Sequence, residues 1–297
     1  MNQQQLHFGN LLVSADTDRG LMREENEDAF GLPHSEPTLW QTHGYLFAVA
    51  DGVGGYGNGR EAAGLTIETL YTAYYGNHSP DLLGAIQQAN MTVRRRMLTM
   101  TNHNRRMGST LVALLFHGGE VQVAHIGDSR AYLVRQGAIR QLTVDHSLVQ
   151  EQFEAGLIDA EHARSHQKKN IITRAIGAES YVAADLNRFA ELVTGDTFLL
   201  CSDGLTNHVS DEVIADVISN YLPEEATKKL IQIANDHGGS DNITVAVISY
   251  NINTSSFLSS PTVNTKIQTF IPVLLWSLLL LSLGLIIGYT VFWFYAR

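Results

Sequence analysis

One cysteine, Cys201, stands in 297 residues, so no intrachain disulfide can form and the apolar core alone must hold the fold. That scarcity agrees with a reducing compartment. Cys201 lies in the run Phe198-Leu-Leu-Cys201, where a buried, inert thiol is expected rather than a nucleophile. Positive charge is also short: 20 Lys and Arg face 30 Asp and Glu, a net charge of −10. A phosphate backbone demands a basic face, so this balance excludes a nucleic-acid binder. The opening residues Met1-Asn-Gln-Gln-Gln5 lack the basic-then-apolar pattern of a secretion signal. With 44% hydrophobic and 17% charged residues the chain belongs among folded, not disordered, sequences.

What the chain does have is a repeated device: an apolar, strand-like run that stops at an aspartate beside a small residue. Tyr45-Leu-Phe-Ala-Val-Ala50 precedes Asp51-Gly52, and Val121-Gln-Val-Ala-His-Ile126 precedes Gly127-Asp128-Ser129. Thr197-Phe-Leu-Leu-Cys201 precedes Ser202-Asp203-Gly204, and Gly238-Gly-Ser-Asp241-Asn242 leads into Ile243-Thr-Val-Ala-Val-Ile248. Aspartate is a poor strand residue, but at the end of a buried strand it fixes a carboxylate on a rigid base. Carboxylates converging in this way repel one another unless a cation intervenes, and hard oxygen ligands suit Mg²⁺ or Mn²⁺.

Periodicity switches along the chain. Leu65, Ile67, Leu70, Tyr71 and Tyr74 predict a helix over 61–75, and Leu83, Ile86, Val93 and Met97 predict another over 82–100. Arg94-Arg95-Arg96 on the second is expected to face solvent. Residues 130–135, Gln136-Gly137 and 138–142 read as a β-hairpin; 211–222 and 223–237 read as two short helices. Strands and helices come in blocks, which favours an α+β layered domain with antiparallel sheets.

The C-terminal end differs from the rest. From Phe270 to Ala296 no residue is charged, longer than the ~20 apolar residues a helix needs to cross a bilayer. Trp276, Trp293 and Tyr295 sit where interfacial anchors belong. The expected organisation is a domain over 6–250, a Ser/Thr/Asn-rich flexible linker over 251–269 and a single transmembrane helix over 270–296. Without an export signal the domain is expected on the cytoplasmic side of the cell's inner membrane.

Thr17-Asp-Arg-Gly-Leu-Met-Arg-Glu-Glu-Asn-Glu-Asp-Ala29, Ala50-Asp-Gly-Val-Gly-Gly55, Met107-Gly-Ser-Thr110 and Ile126-Gly-Asp-Ser-Arg-Ala-Tyr132 follow one another along the domain. Thr143-Val-Asp-His-Ser147, Asn170-Ile-Ile-Thr-Arg-Ala-Ile-Gly177, the run from Gly195 to Leu205 and Gly239-Ser-Asp-Asn-Ile-Thr-Val245 complete the series. In content and order these resemble the motifs of the metal-dependent serine/threonine protein phosphatases (type 2C, or PPM), in their compact bacterial form. The resemblance implies a four-layer α-β-β-α sandwich of two antiparallel sheets flanked by helices, with two Mn²⁺ or Mg²⁺ ions at one end. It matches Asp51 to the ligand bridging both ions, the Gly52 carbonyl, Asp203 and Asp241 to further ligands, and Glu27 to the second ion. Arg23 matches the phosphate-binding arginine, a role that suits a side chain able to offer two parallel hydrogen bonds. Asp128 matches the ligand of a third, weaker metal, and 145–174 matches a mobile flap.

By that resemblance a metal-activated water hydrolyses phosphoserine and phosphothreonine in protein substrates, opposing a Ser/Thr kinase. A catalytically idle phosphoprotein-binding module at the membrane, or a phosphatase of small phosphate esters, are the alternatives; an idle module has no reason to keep Asp51, Asp203 and Asp241. The chain departs from the family pattern at Val53, where the eukaryotic branch has histidine, and at Tyr56 and Arg60, where a histidine and an acid are usual. With Val53 unable to give a proton, the leaving alkoxide is expected to take one from metal-held water. None of the twelve histidines is expected to bind metal.

Overall fold

Successive side chains of a strand face opposite ways, and here both faces are covered. In the strand Tyr45–Gly54 (β4), Phe47 and Val49 pack into one apolar cluster while Leu46 and Ala48 pack into another. Thr197–Cys201 (β11) does the same, with Phe198 and Leu200 on one side and Leu199 and Cys201 on the other. A strand covered on both faces is apolar at every position, which is why these runs read as unbroken rather than alternating. Cys201 is fully buried and its thiol is pushed up to about 12 by burial, so it is inert at neutral pH.

The computed structural model describes residues 6–33, 36–54, 57–78, 80–100, 106–159, 162, 166 and 170–251. One sheet runs β1 (Leu6–Phe8), β2 (Leu11–Asp18), β12 (Ile243–Tyr250), β11, β8 (Arg130–Arg135) and β9 (Ala138–Gln141). The other runs β10 (Asp185–Ala190), β7 (Glu120–Ile126), β6 (Leu111–His117), β4 and β3 (Asp28–Gly31), with β5 (Met107–Ser109) paired to the end of β4. Every pairing is antiparallel. The expected hairpin joins β8 to β9, with Gln136 and Gly137 both at positive φ, the backbone a tight two-residue turn requires.

Three apolar clusters stack these elements into four layers. The middle one joins the sheets through Phe47, Phe116 and Phe198. The helices α2 (Asn58–Tyr75) and α3 (Leu82–Thr99) cover the second sheet through Leu70, Tyr74, Ile86 and Val93. The helices α6 (Asp211–Asn220) and α7 (Pro223–Asp236) cover the first through Ile214, Val217, Leu230 and Ala234. Shorter helices are α1 (Pro37–His43), α4 (Leu148–Glu154) and α5 (Asp203–Thr206).

One strand differs from expectation. β4 does not stop at Asp51 but continues to Gly54, because Met107–Ser109 pairs with Gly52–Gly54. Helix α2 also starts three residues earlier than its apolar periodicity suggested. Arg94 and Arg96 are engaged rather than merely solvated: Arg94 donates to the Ala178 carbonyl, and Arg96 forks onto Glu61 of α2 at 2.5 and 3.2 Å. Among the described residues no helix is long and apolar enough to cross a membrane. The segment 270–296, and the linker apart from Asn251, lie outside the described residues.

Phe47 is fully buried where the sheets meet, so Phe47→Ala should cost about 3–5 kcal/mol of unfolding free energy in urea. Leu98→Ala, at a position 55% exposed, should stay within about 0.5 kcal/mol of wild type.

Candidate metal centre

The two sheets deliver their acids to one end of the sandwich. From the second sheet come Asp51 and Gly52 on β4, with Asp28 of β3 as the direct cross-strand partner of Asp51. The Asp51 N–H donates to Thr110 Oγ1 at 2.9 Å, and the Thr110 N–H returns to the Asp51 carbonyl at 2.8 Å. Thr110 Oγ1 lies 2.7 Å from Ser129 Oγ, tying Asp51 to the β7–β8 turn that carries Asp128. From the first sheet come Asp203, heading α5 directly after β11, and Asp241, two residues before β12.

Residues 19–27 close over this end, held by Asn242. Its amide donates to the carbonyls of Arg19 (2.8 Å) and Glu25 (2.9 Å), and its Oδ1 accepts the Glu27 N–H at 2.8 Å. Arg23 Nη2 donates to Asp241 Oδ2 at 2.7 Å while its side chain stays half exposed. The Glu27 carboxylate lies against the start of α2, close enough that a Cβ at Gly59 would fall 2.8 Å from its Oε1, where the helix presents free N–H donors. Gly52 allows that approach: a Cβ there would fall 2.0 Å from the Gly59 carbonyl oxygen.

The acids perturb one another strongly. Burial, then Asp28, Asp203, Asp128 and Asp241, hold the Asp51 carboxyl well above the usual aspartate range. Burial pushes Asp28 up to about 7, aided by Asp203 and Asp241 and opposed by hydrogen bonds from Thr244 (2.6 Å) and Ser202 (2.8 Å). Burial, then Asp203 and Asp145, push Asp128 up to about 8. Glu27 is raised by burial as well. The Asp28 Oδ1 is buried with no hydrogen-bond partner. An all-oxygen set of mutually repelling carboxylates fits hard divalent cations, which would remove the repulsion.

Beside Asp128 and Asp203 opens a cavity of about 520 Å³, walled by the 145–153 stretch on one side and 206–212 on the other. The Arg130–Asp145 ion pair, at 2.7 Å, lies in its wall. The two ends of the 145–174 segment are tied to each other. Ser147 bridges to Ile172, the Leu148 N–H donates to the Ile171 carbonyl, and the Thr173 N–H donates to the His146 carbonyl, the last two at 2.8 Å.

The structure thus brings Glu27, Asp51, Gly52, Asp128, Asp203, Asp241 and Arg23 to one end of the sandwich. Of the departures, Val53 is 43% exposed and Tyr56 lies outside the described residues. Arg60 laces α2 to the 19–27 stretch, its Nε donating to the Asn26 carbonyl at 3.0 Å. Sequence reasoning assigned no role to Asp28, Thr110 or Asn242; only the adjacency of Asp28 to Glu27 and of Asn242 to Asp241 hinted at them. It also missed a histidine cluster. His125, His146 and Asp185 place possible ligand atoms within 4.8 Å of one another. Their rings stack at 4.6 Å and 19°, so the in-plane lone pairs run side by side instead of converging on an ion.

The comparisons agree with this fold. Residues 16–243 match the model of the family described as protein phosphatase 2C. The serine/threonine phosphatase stp of Listeria welshimeri is 37% identical over 247 residues, covering 80% of this chain and 94% of that protein. The serine/threonine protein phosphatase PstP of Mycobacterium tuberculosis is 37% identical over 243 residues, which are 80% of this chain and 44% of PstP. The structure of the PstP catalytic domain in complex with two manganese ions superposes with a TM-score of 0.68 at 35% identity, covering 80% of this chain and 97% of that one. The Streptococcus agalactiae serine/threonine phosphatase superposes with a TM-score of 0.73 at 35% identity, covering 81% and 100%. The chain belongs to the protein phosphatase 2C family of metal-dependent serine/threonine protein phosphatases.

Proposed function

We propose that this phosphatase acts on phosphoserine and phosphothreonine in proteins phosphorylated by a Ser/Thr kinase, from a membrane to which its C-terminal segment tethers it. The observation that carries the catalytic part is the convergence of buried acids around Asp51 with one half-exposed arginine, Arg23, at their edge. Asp51 and the Gly52 carbonyl, with Asp203 and Asp241, would hold one pair of cations together with Glu27; Asp128 would serve a third. When bound, the cations lower the pKa of water and offset charge on the phosphoryl oxygens. The chain's own contribution is placement. Arg23 grips the phosphate at the rim, and Asn242 keeps the 19–27 stretch, and so Arg23 and Glu27, against the sandwich end. Asp28, between Ser202 and Thr244, steadies the floor beneath Asp51.

Chelated protein should lose its activity on a phosphothreonine peptide and regain it with Mn²⁺ or Mg²⁺; full turnover in chelator would end this reading. Asp51→Asn should cut kcat by about 100-fold or more, the scale of several kcal/mol of lost charge stabilisation. Arg23→Ala should raise KM for the phosphopeptide while Mn²⁺ affinity, read by calorimetry, stays intact.

The raised acids also set a pH dependence. Without metal, folded Asp28 and Asp128 keep protons up to about 7 and about 8, whereas unfolded aspartates release theirs near about 4. The folded state therefore binds more protons, and its stability falls as pH rises through that range. His146, lowered by burial and its cationic neighbours, acts in the opposite sense only below about 6.5. Between pH about 6.5 and 8 the Tm of chelated protein should drop, and added Mn²⁺ should raise it more at the upper end. A chelated Tm that climbs over this window would contradict the electrostatic account.

The tether is supported by the uncharged run from 270 to 296 and its aromatic residues. Cytoplasmic placement of the domain rests on the lone Cys201 and on phosphoprotein substrates. The full chain should sediment with membranes and residues 1–255 should stay in the supernatant. Protease added to intact cells should spare the domain; its digestion would reverse the orientation.

A further inference from the structure

The turn Gly127-Asp128-Ser129 carries one of the gathered acids, yet it cannot brace itself. Gly127 has φ +96°, and a Cβ there would lie 2.7–2.8 Å from the Thr110 side chain, so no larger residue can anchor the turn from within. Ser129 is held by Thr110. Gly127 is held by His146, in both directions: the His146 N–H donates to the Gly127 carbonyl at 2.9 Å, and the Gly127 N–H donates to His146 Nδ1 at 3.2 Å. The His146 carbonyl in turn accepts the Thr173 N–H, which ties in the returning end of the 145–174 segment.

The ring's protonation follows from these bonds. Because Nδ1 accepts, the proton sits on Nε2, which faces Asp185 Oδ2 at 3.4 Å. Arg174 Nη1 lies 3.1 Å from the same Nε2 and 2.9 Å from Asp185 Oδ1. Two donors cannot bond each other, so Asp185 is the acceptor they share. Stacking on His125, whose Nε2–H donates to the Val144 carbonyl at 2.7 Å, fixes the plane of a ring only 6% exposed.

We propose that His146 is a positioning residue that locks the Gly127–Asp128 turn to both ends of the 145–174 segment through an acceptor at Nδ1. The Asp128 carboxylate and the wall of the adjoining cavity then form one rigid piece. The clasp stands on these contacts alone; its consequence for a cation rests on the reading of Asp128 given above.

The full-length protein tests this with His146→Asn, whose Oδ1 falls near the place of Nδ1, and His146→Leu, which fills the space but leaves the buried Gly127 N–H without an acceptor. In His146→Leu the Gly127 and Thr173 amides should exchange hydrogen faster than in wild type, and the weakest class of Mn²⁺ seen by calorimetry should bind about tenfold more weakly, the usual scale for residues that orient a ligand. The tighter Mn²⁺ classes should be unchanged, and His146→Asn should restore most of the protection and of the Mn²⁺ affinity. Wild-type protection of Gly127 in His146→Leu overturns the proposal, as does equal damage in His146→Asn, which would make ring volume the cause. Should His146→Leu not fold, Asp185→Ala carries the test by removing the acceptor that Nε2–H shares with Arg174: Gly127 exchange should rise, and unchanged protection counts against the clasp. A wild-type protein with no third, weaker Mn²⁺ class overturns the reading of Asp128, and exchange alone then decides the clasp.

Discussion

The repulsion among buried carboxylates at one end of the sandwich is the constraint on which the rest depends. Asp28, Asp51 and Asp128 are all pushed upward by burial and by each other, a destabilising arrangement that only a rigid frame and bound cations can sustain. Each acid accordingly sits where backbone pairing fixes its position. Asp51 is inside a strand paired on both edges, Asp28 is its cross-strand partner, and Asp203 begins a helix directly from β11. Hydroxyls of Ser202, Thr244 and Thr110 brace the backbone and one carboxylate. Neutral hydroxyls do this without supplying the opposing charge that would compete with a cation.

Arg23 is the exception, a cation placed among the acids and bonded to Asp241. It is half exposed, and its ion pair is therefore worth little as a contribution to stability. On the reading proposed above its value is positional: a guanidinium held at the edge of the gathered acids would meet a phosphate with its donors already aimed.

Much of this was legible in the sequence because the sandwich buries both faces of its central strands. Unbroken apolar runs ending at acids can only be strands whose ends are meant to converge, and Asp51, Asp128, Asp203 and Asp241 stood out for that reason. The 17–30 stretch was harder. Its density of charge resembles a solvated surface, whereas β2 and β3 run into it and Asn242, from the far end of the chain, holds it in place. An asparagine that bonds three backbone groups across more than 200 residues leaves no local pattern. The extension of β4 past Asp51 was hidden likewise, since it depends on β5, a three-residue strand with no periodicity to read. Histidines scattered singly in sequence gave no sign that His125 and His146 would stack.

The site also depends on the core in a way that no single motif expresses. Asp51 belongs to one sheet, Asp203 and Asp241 to the other, so their separation is set by how the sheets pack. Phe116 lies edge-to-face against Phe47 at 5.8 Å and against Phe198 at 5.2 Å, an aromatic chain that spans the gap from β4 to β11. Interiors are packed too densely to absorb a lost ring without movement, and stacked sheets keep a spacing of about 10 Å that these rings fill. A change in the aromatic layer is therefore transmitted to the distance between acids on opposite sheets, the groups that on the reading proposed above would hold the same cations. In this fold the middle layer of the core is the ruler of the metal centre.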